Sequence, residues 1–151
     1  MKIKYKKTWV VVADGAHARI FLNEGPGTGL VPALDHDLIG NRLPSHDMGS
    51  DRPGVSFSSA GPGRRAMAPH TDPHVHAEHE FIRQVAMAIK QGLNAHTFEQ
   101  LVLVAPPKAL GELRSEIDPQ AAKMIKADLN KDLTHLTPHQ LAEHLEDILK
   151  V

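Results

Sequence analysis

Cysteine, long apolar runs and a surplus of either charge are all missing from this sequence. Without cysteine the chain has no disulfides and no thiolate chemistry, which agrees with a reducing cytoplasm. No apolar run approaches the roughly 20 residues that a helix needs to cross a bilayer, so we expect no membrane partner. The 17 basic and 18 acidic side chains nearly cancel, which excludes a general electrostatic attraction to nucleic acid.

The length of 151 residues fits one domain, which we assign to residues 1–151. Four lysines among the first seven residues imitate the start of a signal peptide. The apolar run Trp9 to Ala13 that follows is too short for the apolar part of such a peptide. We therefore expect a cytoplasmic protein.

The first part of the chain predicts an antiparallel meander. Two runs rich in apolar side chains, Trp9–Ala13 and Ala18–Leu22, flank Asp14-Gly15, and these two residue types tolerate the backbone of tight hairpin turns. Leu30–Leu38 alternates partly between apolar and polar side chains, which favours a third strand.

A long helix is predicted over residues 73–91, because Asp72-Pro73 is a typical helix start and Gly92 a typical stop. The spacing of the apolar residues predicts one buried face. That face would hold Val75, Ile82, Val85, Ala86, Ile89 and Leu93.

The remaining segments predict a mixed, largely antiparallel sheet flanked by helices, an α/β fold. Thr137 and Gln140 have the spacing of a capping box, so a last helix should begin there, with Leu141, Leu145, Ile148 and Leu149 facing inward. The other predicted elements are a central strand Gln100–Ala105, a helix Lys108–Ile117, a helix from Asp118 to about Asn130, and an edge strand Leu133–Leu136.

Residues 40–73 form a long segment with neither helical nor strand periodicity. It contains five glycines, five prolines and four arginines, and no lysine. Connections this long are usually functional or disordered. Paired guanidinium groups can bind phosphate, and neighbouring glycines let a partner approach the backbone closely. The predicted phosphate ligands are Arg42, Arg52, Arg64 and Arg65; the alternative is a flexible, solvated loop.

A histidine cluster occupies residues 70–80. His76, His79 and Glu80 share one flank of the predicted helix, where imidazole and carboxylate groups can bind a divalent metal. His74 is a fourth predicted ligand. The H-E-x-x-H spacing of zinc proteases is absent, because position 83 is Arg83. The alternative is a polar start of a helix without any cofactor.

Four segments in fixed order resemble the bacterial host attachment protein family. They are WVVVADGAHARIFL (9–22), HTDPHVHAEHEFIRQVAMAI (70–89), LVLVAPPKALGELR (101–114) and DLTHLTPHQLAEHL (132–145). That family is in turn similar to the middle domain of archaeal and eukaryotic peptide-chain release factors and of Pelota. The resemblance implies a mixed α/β domain with a long loop before the long helix.

Release factors have a Gly-Gly-Gln tripeptide in that loop, but this chain has no glutamine between Gly40 and Arg83. No complete catalytic motif is present, so no catalytic residue is assigned. Pelota-like relatives lack the tripeptide and act through the ribosome, which keeps a link to translation open.

Three hypotheses follow. The first is a non-enzymatic cytoplasmic module that binds RNA, with the ribosome or tRNA as its partner. The second is a metal-dependent hydrolase that uses the His70–Glu80 cluster. The third is a protein-interaction module, including a homo-oligomer.

Overall fold

The computed structural model describes residues 5–40 and 73–151, which form a six-stranded sheet with helices on both faces. None of the helices in this part is both long enough and apolar enough to cross a membrane. The strands are β1 (Thr8–Ala13), β2 (His17–Asn23), β3 (Val31–Pro32), β4 (Leu38–Ile39), β5 (Gln100–Val104) and β6 (Ile125–Leu129). The helices are α1 (Pro73–Asn94), α2 (Pro107–Glu116), α3 (Pro119–Ala122) and α4 (Pro138–His144).

The sheet is mixed, as predicted. Its order is β3-β2-β1-β5-β6, and β4 also pairs with β2. β1 is antiparallel to β2 and parallel to β5, and β5 is parallel to β6. Half of the sheet is therefore an antiparallel meander, and the other half consists of parallel strands joined through helices.

β1 lies at the centre, and every one of its six residues is buried. Successive side chains of a strand point to opposite faces. Trp9, Val11 and Ala13 accordingly join the apolar core beneath α1 and α2. Val10 and Val12 join a second core, which is covered by Leu141 and Leu145 of the last helical region.

The predicted hairpin, long helix, central strand and capped last helix are confirmed. Thr137 and Gln140 form both bonds of the capping box at the start of α4. The predicted inner face of α1 is buried except at its first position, since Val75 is 37% exposed. The first buried residue of α1 is Phe81, six positions later, so the assignment of Val75 to the core was wrong.

The predicted helix from Asp118 to Asn130 was wrong in most of its length. Helix α3 ends at Ala122, and residues 125–129 are strand β6. The side chains of β6 alternate between half-buried and exposed, which is the period of a strand. The edge of β5 offers main-chain hydrogen bonds there, and this pairing outweighs the helix propensity of the sequence.

Two predicted strands also need correction. Leu133–Leu136 is not a strand, because β6 already occupies that edge of the sheet. The single strand predicted at Leu30–Leu38 is two short strands, β3 and β4, which pair with opposite ends of β2. The intervening residues 33–37 are not extended, although the amide of Ala33 still donates to Ile20 O of β2 at 2.9 Å.

Gly92 was predicted to end α1, but it lies within the helix, which continues to Asn94. The helix ends in a Schellman motif, in which the amide of Thr97 donates to Gly92 O and that of His96 to Leu93 O. His96 has a φ of 58°, the left-handed backbone that this motif requires. A Cβ at Gly92 would lie 2.7 Å from ring carbon Cζ3 of Trp9, so the glycine makes room for the indole.

The substitution Gly92→Ala tests this packing. Alanine is the better helix former, yet its methyl group would collide with Trp9, so we expect unfolding free energy to fall by about 1–3 kcal/mol. The control is Gly111→Ala, at an exposed site in α2 where nothing lies within 4 Å of the added Cβ. That change should stabilise the protein by about 0.5–1 kcal/mol. Equal effects of both substitutions in urea unfolding would contradict the proposed role of Gly92.

Candidate functional site at the carboxyl ends of the parallel strands

The carboxyl ends of β1, β5 and β6 lie at the same end of the sheet, because these three strands are mutually parallel. In open α/β sheets, ligands usually bind at the carboxyl ends of the strands. Asp14 directly follows β1, and residues 130–136 follow β6 and run back across the sheet end. The polar side chains of these two segments meet there.

Asp14 links the two segments. Its Oδ1 accepts hydrogen bonds from the amides of Ala16 and His17, both at 2.8 Å, and these bonds close the β1–β2 turn. Its Oδ2 lies 3.1 Å from Thr134 Oγ1. Thr134 is only 2% exposed, and its hydroxyl also lies 3.1 Å from Asp132 Oδ1. A single hydroxyl proton thus faces two carboxylates.

A third polar side chain completes this cluster. One ligand atom each from Asp14, Asp132 and His135 lies within 4.8 Å of the others. Asp14 is half-buried, and the other two residues are exposed. Two carboxylates and one imidazole suit divalent ions such as Mn²⁺ or Zn²⁺. The cluster could therefore hold a metal with coordination positions left for water and a substrate.

Arg19 fixes the segment that supplies Asp132 and His135. Its guanidinium donates to the carbonyl oxygens of Thr134, at 3.3 Å, and Leu136. It also lies 4.9 Å from the ring centre of Phe21, in a cation–π arrangement.

On the outer side of this end, His17 Nε2 lies 3.1 Å from Asp37 Oδ2, and the Nε of Arg19 is 4.0 Å from the same oxygen. The charges of this surface are therefore mixed. Here the carboxylate of Asp37 is matched by the side chains of His17 and Arg19.

Both described flanks of residues 41–72 lie at this end of the sheet. The amide of Gly40 donates to Ala16 O at 2.8 Å, and a Cβ at Gly40 would lie 3.1 Å from the ring of Phe81 in α1. A Cβ at Gly15 would lie 2.9 Å from the side chain of Glu78. The first turns of α1 therefore pack on the hairpin turn. The predicted phosphate ligands Arg42, Arg52, Arg64 and Arg65 fall outside the described residues.

The predicted metal ligands lie on α1, beside α2. The two ring nitrogens of His79 lie 3.5 Å from Glu112 Oε2 and 3.6 Å from Glu116 Oε2. Glu80 contacts Arg83 at 3.4 Å. His79 thus faces two carboxylates of α2, whereas Glu80 pairs with Arg83 within α1.

His76 is exposed, and the side chain of His74 falls outside the described residues. A metal site built from these histidines and Glu80 stays a prediction.

Sequence reasoning noted Asp14 but missed Asp132 and His135. His135 was assigned to an edge strand, Leu133–Leu136, which would have directed alternate side chains to the two faces of the sheet, and Asp132 lies just before those bounds. The alternation of Ile125, Ala127 and Leu129 is the signal that could have found them. It places β6 beside β5 and brings the following residues to the end of β1.

None of the curated proteins compared with the chain matches it. Among solved structures, it is similar to an archaeal translation termination factor, aRF1, with 11% identity and a TM-score of 0.48 over 93% of this chain. It is also similar to a structure described as an archaeal protein, with 11% identity and a TM-score of 0.49 over 95% of this chain. The matches cover 38% and 35% of those chains, so this chain spans just over a third of their length.

The family predicted from the four sequence segments is confirmed by a family model that matches residues 9–145. The model covers the central strand β1, the hairpin turn at Asp14, the cluster at Asp132 and His135, and helix α4. The chain belongs to the host attachment family, which is described as "Protein required for attachment to host cells".

Proposed function

We propose that this protein is a non-enzymatic cytoplasmic module that binds RNA, with tRNA or the ribosome as its partner. Arg42, Arg52, Arg64 and Arg65 would bind phosphate groups. Any part in attachment to host cells would then be indirect, through the RNA-dependent steps of protein synthesis.

The observation that supports this proposal is where the arginine-bearing segment is held. Gly40 and the first turns of α1 are both fixed at the carboxyl end of the sheet, by the contacts with Ala16 and Gly15. The described residues on both sides of the segment 41–72, which contains all four arginines, therefore lie at one end of the sheet. Guanidinium groups match phosphate geometry, and residues 41–72 contain four arginines and no lysine, so this segment can bind RNA even though the whole chain carries almost no net charge.

Salt dependence tests this proposal. Each phosphate contact contributes about 0.7–0.9 to the slope of log affinity against log salt concentration. Removing two contacts with Arg64→Ala/Arg65→Ala should lower the slope for tRNA by about 1.5 and weaken binding at low salt. Filter binding or fluorescence anisotropy with tRNA and with purified ribosomes, from about 50 to 200 mM salt, measures both quantities.

The matched control is Arg83→Ala/Arg114→Ala. Arg83 and Arg114 are exposed, and each is paired with carboxylates within the domain. The control removes the same charge and should keep the slope of the parent. Affinity that is independent of salt, or equal losses in both double variants, would exclude phosphate binding by Arg64 and Arg65.

As a second candidate we propose a metal-dependent hydrolase centred on Asp14, Asp132 and His135. The convergence of three ligand atoms within 4.8 Å favours this site, and its position at the strand ends is typical of α/β enzymes. A divalent ion held there would supply an activated water. Arg19 would hold the 134–136 segment, and with it His135, in position through its two carbonyl contacts.

Metal content distinguishes this site from the predicted His70–Glu80 cluster. Tag-free protein dialysed against Zn²⁺ or Mn²⁺ should retain the ion, and Asp132→Ala/His135→Ala should reduce affinity by more than about tenfold. The comparison variant is His76→Ala/His79→Ala, which should bind like the parent. If only His76→Ala/His79→Ala lost the bound ion, the metal site would be assigned to the α1 histidines. If the parent protein retained no ion, both sites would be excluded.

A further inference from the structure

A pocket of about 200 Å³ lies at the opposite end of the sheet, where β1, β5 and β6 begin and β2 ends. It is separate from the strand ends at Asp14 and from the flanks of residues 41–72. Five segments of the chain contribute to its walls. The side chains that matter most are Tyr5, Lys6, Asn23, Gln100, Lys126 and Lys150.

The wall formed by the turn after β2 is tightly fixed. Asn23 is 1% exposed and makes three hydrogen bonds within the turn. Its Nδ2 donates to Gly29 O at 2.9 Å and to Thr28 Oγ1 at 3.2 Å, and its Oδ1 accepts from the amide of Gly25 at 3.0 Å. The amide of Gly27 donates to Val151 O at 2.7 Å, which holds the residues around Lys150 beside this turn.

Tyr5 lies against this wall. Gly25 has a φ of 134°, and a Cβ there would lie 2.9 Å from ring carbons of Tyr5, so only glycine lets the ring pack so closely. Tyr5 as a whole residue nevertheless remains 49% exposed. A half-exposed aromatic ring, held at the edge of a pocket, is the platform on which nucleic-acid bases stack.

The charged side chains that line the pocket are all lysines. Lys6, Lys126 and Lys150 line it, and none of its lining residues has a carboxylate side chain. Within residues 5–40 and 73–151, none of the three lysines takes part in an ion pair. Gln100, whose Oε1 lies 3.1 Å from Thr8 Oγ1, adds an amide group at the start of β5. The three lysines are therefore the candidate phosphate ligands of this pocket.

We propose that this pocket binds a nucleoside phosphate, with its phosphate at the three lysines and its base stacked on Tyr5. The volume suits a single phosphorylated sugar, while the base would extend over the exposed ring. A free nucleotide and one residue of an RNA strand share this chemistry. The site uses no residue of the arginine-bearing segment, so it does not rest on the proposed function.

Three probes test the phosphate contacts and the base contacts separately, with the full chain. They are adenosine 5′-monophosphate, adenosine and inorganic phosphate. Calorimetry should show the nucleotide binding about tenfold or more tightly than either fragment, because each fragment lacks one set of contacts. Amide resonances of residues 5, 25 and 126 should shift with the nucleotide. Equal affinity for the nucleotide and for inorganic phosphate would overturn the role of Tyr5.

Two variants and their controls complete the test. Lys126→Ala/Lys150→Ala should weaken nucleotide and phosphate alike by about tenfold. The matched control Lys90→Ala/Lys131→Ala removes two exposed lysines elsewhere and should bind like the parent. Tyr5→Ala should weaken the nucleotide only, and Tyr5→Phe should restore it. No detectable binding to the parent, or the same loss in both lysine variants, would overturn the proposal.

Hexaadenylate identifies the source of the ligand. If RNA is the ligand, the oligonucleotide should bind more tightly than the mononucleotide; if a free nucleotide is the ligand, the order should reverse. The Arg64→Ala/Arg65→Ala variant should keep full affinity for the mononucleotide. If the pocket bound no nucleotide, the salt-dependent binding of tRNA would be unaffected. If Arg64 and Arg65 bound no phosphate, the binding of the mononucleotide would be unaffected.

Discussion

Strand β1 is the constraint on which the rest of the structure depends. It is paired on both edges, antiparallel with β2 and parallel with β5, and its side chains enter the cores on both faces of the sheet. This one strand therefore fixes the hairpin, both helical layers and the two ends of the sheet. β1 also positions Asp14, because Asp14 directly follows this fully buried strand and its backbone has little conformational freedom.

The two ends of the sheet differ in chemistry because the chain crosses them differently. At the carboxyl end, acidic groups and histidines from the β1–β2 turn and from residues 130–136 meet beside the flanks of the arginine-bearing segment. At the amino end, lysines from three separate segments line a small pocket. A nearly neutral chain thus has locally distinct surfaces, which its overall composition conceals.

The sequence predicted those elements whose signals are local. The capping box at Thr137, the Asp14-Gly15 turn and the apolar stripe of α1 depend on residues close together in sequence, and they are confirmed apart from Val75, the first member of the stripe. Strand β6 was missed because its sequence also suits a helix. The edge of β5 decides its structure, and β5 lies more than twenty residues away.

The candidate site was predicted only in part, for the same reason. Asp14 lies in a recognisable turn, whereas its approach to Asp132 requires β6 to be parallel to β5 and the chain to return over the sheet end. Gly92 illustrates a related limit. Glycine near the end of a helix usually signals a stop, but here the absent side chain accommodates an indole from β1.

The indole of Trp9 reports on the packing of the long helix against the sheet. Trp9 is the sole tryptophan of the chain, it is 3% exposed, and its ring centre lies 4.8 Å from that of Phe98. It lies at the junction of the central strand and the end of the long helix. Its fluorescence emission therefore depends on whether the helix and the sheet remain packed together. If the two layers separated, water would reach the ring and the emission would shift toward longer wavelengths.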